Sequence, residues 1–117
     1  MNDKEYWVYM LRVRGGRIYT GSTSDILRRW REHSSGSGGC RYTRSFPPSK
    51  IEACWKISGG RSVAQRIEAW IKKKSRDRKE LFIRDPEALR ALVERSMENG
   101  QKVEYINPVT LDIDPKP

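Results

Sequence analysis

The chain has 117 residues, enough for one domain with a modest core. Its 24 Lys and Arg against 15 Asp and Glu leave a net charge of +9, an excess that attracts polyanions and raises their encounter rate. Two cysteines give no disulfide framework, a single histidine without CxxC spacing argues against a zinc site, and no apolar run approaches membrane-spanning length.

Tyr6 to Leu11 (YWVYML) is short, apolar and aromatic, which predicts a buried strand. Arg14-Gly15-Gly16-Arg17 predicts a hairpin turn, because the glycines supply positive φ cheaply, and Ile18 to Thr20 then return as the partner strand. The hairpin brings Tyr9 and Tyr19 onto neighbouring strands. Ser24 or Asp25 can start the next helix, whose apolar face is Ile26, Leu27 and Trp30. At 100° per residue Arg29 and His33 share one flank of that face, while Arg28 points away. His33 is expected to end the helix and meet a mobile Ser/Gly-rich loop over 34–39.

Ile51, Ala53, Trp55 and Ile57 alternate with Glu52, Cys54 and Lys56, the pattern of a half-buried strand with Cys54 as a small filler. Ser58-Gly59-Gly60 is a turn, and Ser62 with Gln65 fits a capping box. Val63, Ala64, Ile67, Trp70 and Ile71 make the core stripe of the following helix, with Glu68 at its border. A short basic helix is expected from Ser75 to about Phe82. Asp85-Pro86 opens another, with Leu89, Leu92, Val93 and Met97 as its apolar face and Asn99-Gly100 as its stop. Residues 102–106 are a candidate last strand, followed by a Pro-containing tail.

The positive charge is clustered. Arg28, Arg29 and Arg31 form one group and Lys72, Lys73, Lys74, Arg76, Arg78 and Lys79 another, although a solubilising surface charge is the competing reading. Arg41, Tyr42 and Arg44 interleave basic groups with an aromatic, which suits nucleic-acid backbone and base contacts. A turn tyrosine packed on the core explains Tyr42 equally well. The strip starting at Lys72 and Lys73 reads either as a backbone contact or as a solvated helix face.

Five segments carry a resemblance when taken together and in order. They are Trp7-Val8-Tyr9, Tyr19-Thr20-Gly21, the run Thr23 to His33, the loop Gly36 to Arg44 and the helix Ala64 to Lys72. Their order and spacing resemble the GIY-YIG nucleases, and within them the small stand-alone bacterial branch of YhbQ-like proteins. The resemblance covers roughly Tyr6 to Ile83. It implies an α/β (α+β) fold with a small, mainly antiparallel three-stranded sheet flanked by helices and a C-terminal helical extension. Residues 1–83 would form the nuclease domain, and 84–117 an extension packed on it.

The implied activity is metal-dependent endonucleolytic hydrolysis of DNA, with RNA as the other candidate substrate and DNA repair or recombination as the setting. Phosphodiester hydrolysis needs an activated water, neutralised phosphate charge and help for the departing oxygen. The resemblance makes Tyr9 the residue that activates water and Tyr19 its partner. Arg29 becomes the phosphate clamp, His33 a support for proton transfer, and Glu68 the ligand of one Mg²⁺ or Mn²⁺ ion. Nucleic-acid contacts would come from Arg28, Arg31, Arg41, Tyr42, Arg44, Lys72 and Lys73. Each has a plain structural alternative: strand aromatics in the core for the tyrosines, a helix-end histidine for His33, and an ion pair with Lys72 at i+4 for Glu68.

Three positions depart from the branch pattern: Ser34 stands where Asn is usual, Gln65 where an apolar residue is, and Gly39-Cys40 where a basic residue is. They touch loop detail and substrate choice rather than a proposed catalytic group. The competing functions are a non-catalytic nucleic-acid-binding module on the same fold and a protein-interaction adaptor using the helix near 84–100. The charged N-terminus Met1 to Glu5 has no apolar signal core, so a cytoplasmic location is expected, with no membrane association.

Overall fold

The computed structural model describes residues 5–36, 41–96 and 102–111. Strand β1 (Tyr6–Val13) runs into a tight turn at Arg14–Gly16 and returns as β2 (Ile18–Thr23). Gly15 and Gly16 take φ of 84° and 77°, the positive values expected of this Gly-Gly turn. Helices α1 (Ile26–Ser35) and α2 (Arg41–Ser45) follow, then strand β3 (Pro48–Ile57). Helices α3 (Gly60–Lys72), α4 (Arg76–Arg84) and α5 (Pro86–Ser96) lead to strand β4 (Val103–Ile106).

The four strands form one antiparallel sheet in the order β2-β1-β3-β4. Residues 102–106, a candidate strand in sequence, form its fourth member at the β3 edge. Alternation along β1 divides the core between the two faces of the sheet. Val8 and Met10 point towards α3, α4 and α5 and pack with Ala53, Trp55, Ile67, Ile71, Phe82, Leu89 and Val93. Tyr9, Leu11 and Val13 point the other way and pack with Ile26 and Trp30 of α1 and with Ile51 and Cys54. Cys54 is fully buried, and burial pushes its thiol up to about 12, so it is an inert filler.

The segment beyond Arg84 adds to the first of these clusters. Trp55 Nε1 donates to the Pro86 carbonyl at 3.1 Å, and the Val103 N–H donates to a Glu94 carboxylate oxygen at 2.9 Å. Between the sheet and α4, Arg12 of β1 holds Glu52 of β3 and Glu80 of α4 together, each at 2.8 Å.

Several local expectations shift by a turn. Asp25 caps α1 by accepting from the Arg28 N–H at 3.0 Å, and α1 runs past His33 to a left-handed Gly36. Helix α3 starts at Gly60, with Gly59 at its N-cap, so Ser62 lies inside the helix and caps nothing. Strand β2 continues past Thr20, where the sequence pattern ends it, through Gly21 to Thr23. Residues 41–45, expected as loop, make a turn and a half of helix. The expected loop core at 37–40 with Cys40, Met97, the Asn99-Gly100 stop and residues 112–117 lie outside the described residues, while the start of the tail makes a 3-10 turn at Pro108–Thr110.

Candidate active site

The β1–β2 register sets Tyr9 opposite Gly21 and Leu11 opposite Tyr19. Tyr9 and Tyr19 are therefore diagonal neighbours on one face, with ring centroids 6.4 Å apart. Gly21 is buried with an ordinary φ, so backbone freedom is not what glycine provides there. It provides room, because a Cβ would stand 2.5 Å from the Tyr9 hydroxyl oxygen and 3.2 Å from Tyr19 Cε2.

Helix α1 lays His33 over this pair. The Tyr9 hydroxyl and His33 Nε2 are 2.8 Å apart, and both residues are only 1% exposed. On the far side of the ring, Nδ1 is 2.8 Å from the Thr43 hydroxyl of α2, also 1% exposed. Burial, followed by the nearby positive charge of Arg29, pulls the imidazole down from 6.5 to about 4 against the opposing effect of Glu32, so His33 is neutral at pH 7. A neutral imidazole has one donor and one acceptor. If Nε2 accepts the Tyr9 proton, Nδ1–H donates to Thr43. In the other tautomer Thr43 donates to Nδ1 and Nε2–H donates to the Tyr9 oxygen. Thr43 thereby couples α2 to the protonation pattern of the Tyr9–His33 pair.

An aromatic file leads outward from this centre. Tyr19 packs edge-on to His33 at 5.0 Å, Tyr42 lies 5.4 Å from Tyr19, and Phe46 lies 5.1 Å from Tyr42 under the guanidinium of Arg17. Tyr42 is 38% exposed, so it both packs and faces solvent, which joins the two readings of it.

Ser22, the residue after Gly21, pairs with Val8 and so points to the opposite face, towards α3. Its hydroxyl donates to Glu68 Oε1 at 2.6 Å, while Lys72 Nζ stands 2.7 Å from Oε2. The i+4 ion pair expected as the plain reading of Glu68 forms, and the carboxylate is also bonded to Ser22, one residue along β2 from Gly21. The Glu68 side chain is 19% exposed and Lys72 51%, so the lysine can swing out and leave that oxygen open.

Arg29 is half-buried at the junction, 2.8 Å from Glu32 Oε1, and its charge is felt by His33. Arg28 does not simply point away. It joins Arg29, Ser22 and, from α3, Arg61 and Gln65 in lining a polar pocket beside Glu68. Arg31, Arg44, Lys72 and Lys73 are exposed, with Lys73 just past the end of α3. The Arg41 side chain lies outside the described residues.

The structure thus brings Tyr9, Tyr19 and His33 into one packed cluster with Arg29 beside it, and places Glu68 on the other face of the sheet, bonded to Ser22 next to Gly21. The sequence reading did not single out Ser22 or Thr43. Ser22 follows the Tyr-Thr-Gly motif directly and Thr43 lies inside the loop segment, but neither carries a charge or an aromatic ring to mark it.

Residues 5–81 match the GIY-YIG catalytic domain. The chain belongs to the GIY-YIG family. It is similar to a UPF0213 protein of Fusobacterium nucleatum, with 38% identity over 98 residues, 84% of this chain and 92% of the relative. A UPF0213 protein of Cupriavidus necator is 38% identical over 80 residues, 68% of this chain and 85% of the relative. The UPF0213 protein YhbQ of Salmonella typhimurium is 33% identical over 88 residues, 75% of this chain and 86% of the relative. No solved structure matches the chain significantly.

The GIY-YIG family implies a divalent metal and a nucleic-acid substrate. Among the described residues no group of three or more His, Cys, Asp and Glu side chains stands ready to enclose an ion. A hard dication that keeps most of its waters needs less than that. Glu68 fits the lesser need: it is an oxygen donor oriented by the Ser22 hydroxyl, with its second oxygen paired to an exposed lysine. No helix among the described residues is long and apolar enough to cross a membrane.

Proposed function

We propose that the protein is a metal-dependent endonuclease that hydrolyses phosphodiester bonds in DNA, with residues beyond 84 serving as an extension that braces the catalytic domain. The observation that carries this reading is the Tyr9 hydroxyl 2.8 Å from a neutral, buried His33. The Tyr9–His33–Thr43 chain gives the phenol a neutral acceptor whose orientation is fixed from its far side, the arrangement that proton movement at Tyr9 would use.

In this reading Tyr9 positions the attacking water and receives its proton while passing its own to Nε2. Burial and the charge of Arg29 hold His33 well below its ordinary value, so the neutral imidazole is a weak base and complete transfer is costly in the resting site. Proton movement therefore accompanies bond formation and does not precede it. Tyr19 braces the Tyr9 ring and the water. Arg29 releases Glu32 and presents its planar fork to the non-bridging phosphate oxygens as charge develops on them. Glu68 would hold the dication, which when bound supplies Lewis-acid stabilisation of the phosphate and the departing oxygen. Thr43 keeps the imidazole fixed throughout.

A non-catalytic nucleic-acid-binding module is the second reading, and the Glu68–Lys72 pair is the observation in its favour. A labelled panel of single-stranded, duplex, flap and branched DNA with Mg²⁺, Mn²⁺ or EDTA separates the two. Cutting that needs metal and is lost in Glu68→Ala, with binding retained, is the expected result. Intact binding with no cutting of any substrate would overturn the nuclease reading in favour of the module.

A further inference from the structure

We infer that the polar pocket between α1 and α3 is a second phosphate site, which holds a backbone phosphate of the substrate strand away from the scissile one. The inference rests on the nuclease reading only for the position of the scissile phosphate. The pocket is about 220 Å³, smaller than the roughly 300 Å³ lower bound for drug-sized ligands. Arg28, Arg29 and Arg61 line it together with Ser24 and Gln65. Such a lining offers donors in every direction and suits an oxyanion.

The charge balance favours the same ligand. Glu32 is 2.8 Å from Arg29 and 3.9 Å from Arg28, and Asp25 turns its carboxylate to the Arg28 N–H. Glu32 partly compensates the α1 arginines, and Asp25 is taken up by the helix cap. Arg61 has no such partner: among the described residues it makes no ion pair or hydrogen bond, and the first turn of α3 contains no carboxylate. A guanidinium left uncompensated beside two others raises the energy of the free protein, and an arriving phosphate relieves it.

The spacing makes this site distinct from the scissile position. Arg61, Gln65, Glu68 and Lys72 fall at i, i+4, i+7 and i+11 of α3, which is one face of the helix. Arg61 and Glu68 are about 10 Å apart along the axis at 1.5 Å per residue. A strand with its scissile phosphate between Arg29 and Glu68 would run along Gln65 and present a phosphate a few nucleotides away to Arg61. Arg29, on the shared wall, would serve both positions. This places a grip on the strand next to the chemistry, where the binding energy of a non-reacting phosphate can fix the register of the reacting one.

The test is a binding measurement in EDTA, so it does not depend on cleavage. Fluorescent oligonucleotides carrying one neutral methylphosphonate at successive positions are titrated with wild type, Arg61→Gln and Arg66→Gln. Arg66 is an exposed arginine of the same helix that borders a different groove, against Trp70 and Val93, and so controls for loss of one positive charge. The expected result is about a tenfold loss for Arg61→Gln. The salt dependence should fall by about one phosphate contact. One methylphosphonate position should weaken wild type about tenfold and leave Arg61→Gln unaffected. A 5′-phosphorylated arm distinguishes an internal phosphate from a strand end, and coupling of Arg61 to either one supports the pocket. Arg61→Gln losing no more than Arg66→Gln, with no coupled position, overturns it. Coupling in a protein that cuts nothing would leave the pocket standing and sink the nuclease; cutting without coupling would do the reverse.

Discussion

Gly21 stands opposite Tyr9 across the β1–β2 ladder, so close that a Cβ there would sit 2.5 Å from the phenol oxygen and 2.7 Å from Cζ. No side chain can be accommodated unless the ring moves, and the ring is pinned by His33 and Tyr19. Gly21→Ala should therefore push the Tyr9 hydroxyl off Nε2. Overpacking of this kind costs about 1–3 kcal/mol in urea unfolding. A displacement of about 1 Å at the reacting group should lower cleavage roughly 100-fold. A variant with wild-type stability and rate would show that the phenol yields freely and that its position is not critical.

The pH behaviour of His33 has a definite sign. Its folded value of about 4 lies below the ordinary 6.5, so the unfolded chain binds more protons between those values. Stability from this group is complete above pH 6.5 and declines as pH falls towards 4, by a total on the order of 3 kcal/mol. His33 is the single histidine of the chain, so its ring protons in an NMR titration are assigned by inspection. A midpoint near 4 is expected, and His33→Gln should flatten the stability profile across that window. A midpoint near 6.5 would mean that the ring is solvated and would remove the neutral relay.

The fold was readable where the periodicity was strong. The aromatic run at Tyr6, the Gly-Gly turn and the Ile67–Ile71 stripe each identify their element, because burial repeats every second or every third to fourth residue. The tyrosine pair, Arg29 and His33 were legible as well, since rare, chemically loud side chains carry the family pattern. Three features were not. Thr43 and Ser22 act through one hydroxyl each, at distances set by how α2 and α3 dock, and docking leaves no periodic trace in sequence. Helical phase turns Arg28 away from the Arg29–His33 flank, yet a long arginine at the first turn of α1 reaches the pocket that α3 closes. The α3 start was misplaced because Gly59 and Gly60, both with positive φ, end the turn inside the helix's own first residue.

Ser22 and Lys72 hold the two oxygens of Glu68 and should act on metal affinity in opposite directions. Removing the Ser22 hydroxyl leaves the carboxylate free to rotate, and Ser22→Ala should weaken Mn²⁺ binding about 10–100-fold. Lys72 competes for the oxygen that a dication would use, so Lys72→Met should tighten Mn²⁺ binding several-fold while weakening DNA binding. Titration of free Mn²⁺ by electron paramagnetic resonance reads both without substrate. Equal affinities in all three proteins would place the ion elsewhere.

Thr43→Val tests whether α2 governs the imidazole. The substitution keeps the shape and removes the only hydroxyl partner described for Nδ1. The ¹⁵N shifts of His33 should then move towards the tautomer that carries its proton on Nε2, because a valine leaves Nδ1–H buried and unpaired. Cleavage should fall about tenfold with little change in DNA binding. Unaltered ¹⁵N shifts would show that Tyr9 alone sets the tautomer and that Thr43 only packs.

Arg12 ties three elements together and lies away from the reacting groups, so it separates stability from activity. Its guanidinium is 2.8 Å from Glu52 and makes two parallel bonds of 2.8 Å to Glu80, and these bonds hold the Glu80 carboxyl below its ordinary value. Arg12→Met leaves two half-buried carboxylates with only the longer pairs to Lys50 and Arg76 and should cost about 2 kcal/mol in urea unfolding. Because the folded value of Glu80 is depressed, its contribution is present above about pH 4.5 and is lost as pH falls below that. The wild type should therefore show two acid losses, one from His33 between 6.5 and 4 and a lower one from Glu80. Arg12→Met should abolish the lower loss and keep the upper. Replacing Glu52 and Glu80 with Gln and Leu in the same variant should recover most of the stability, since the cost lies in the stranded carboxylates. Recovery without those changes, or loss of the upper window instead, would show that Arg12 supports the relay rather than the sheet–helix junction.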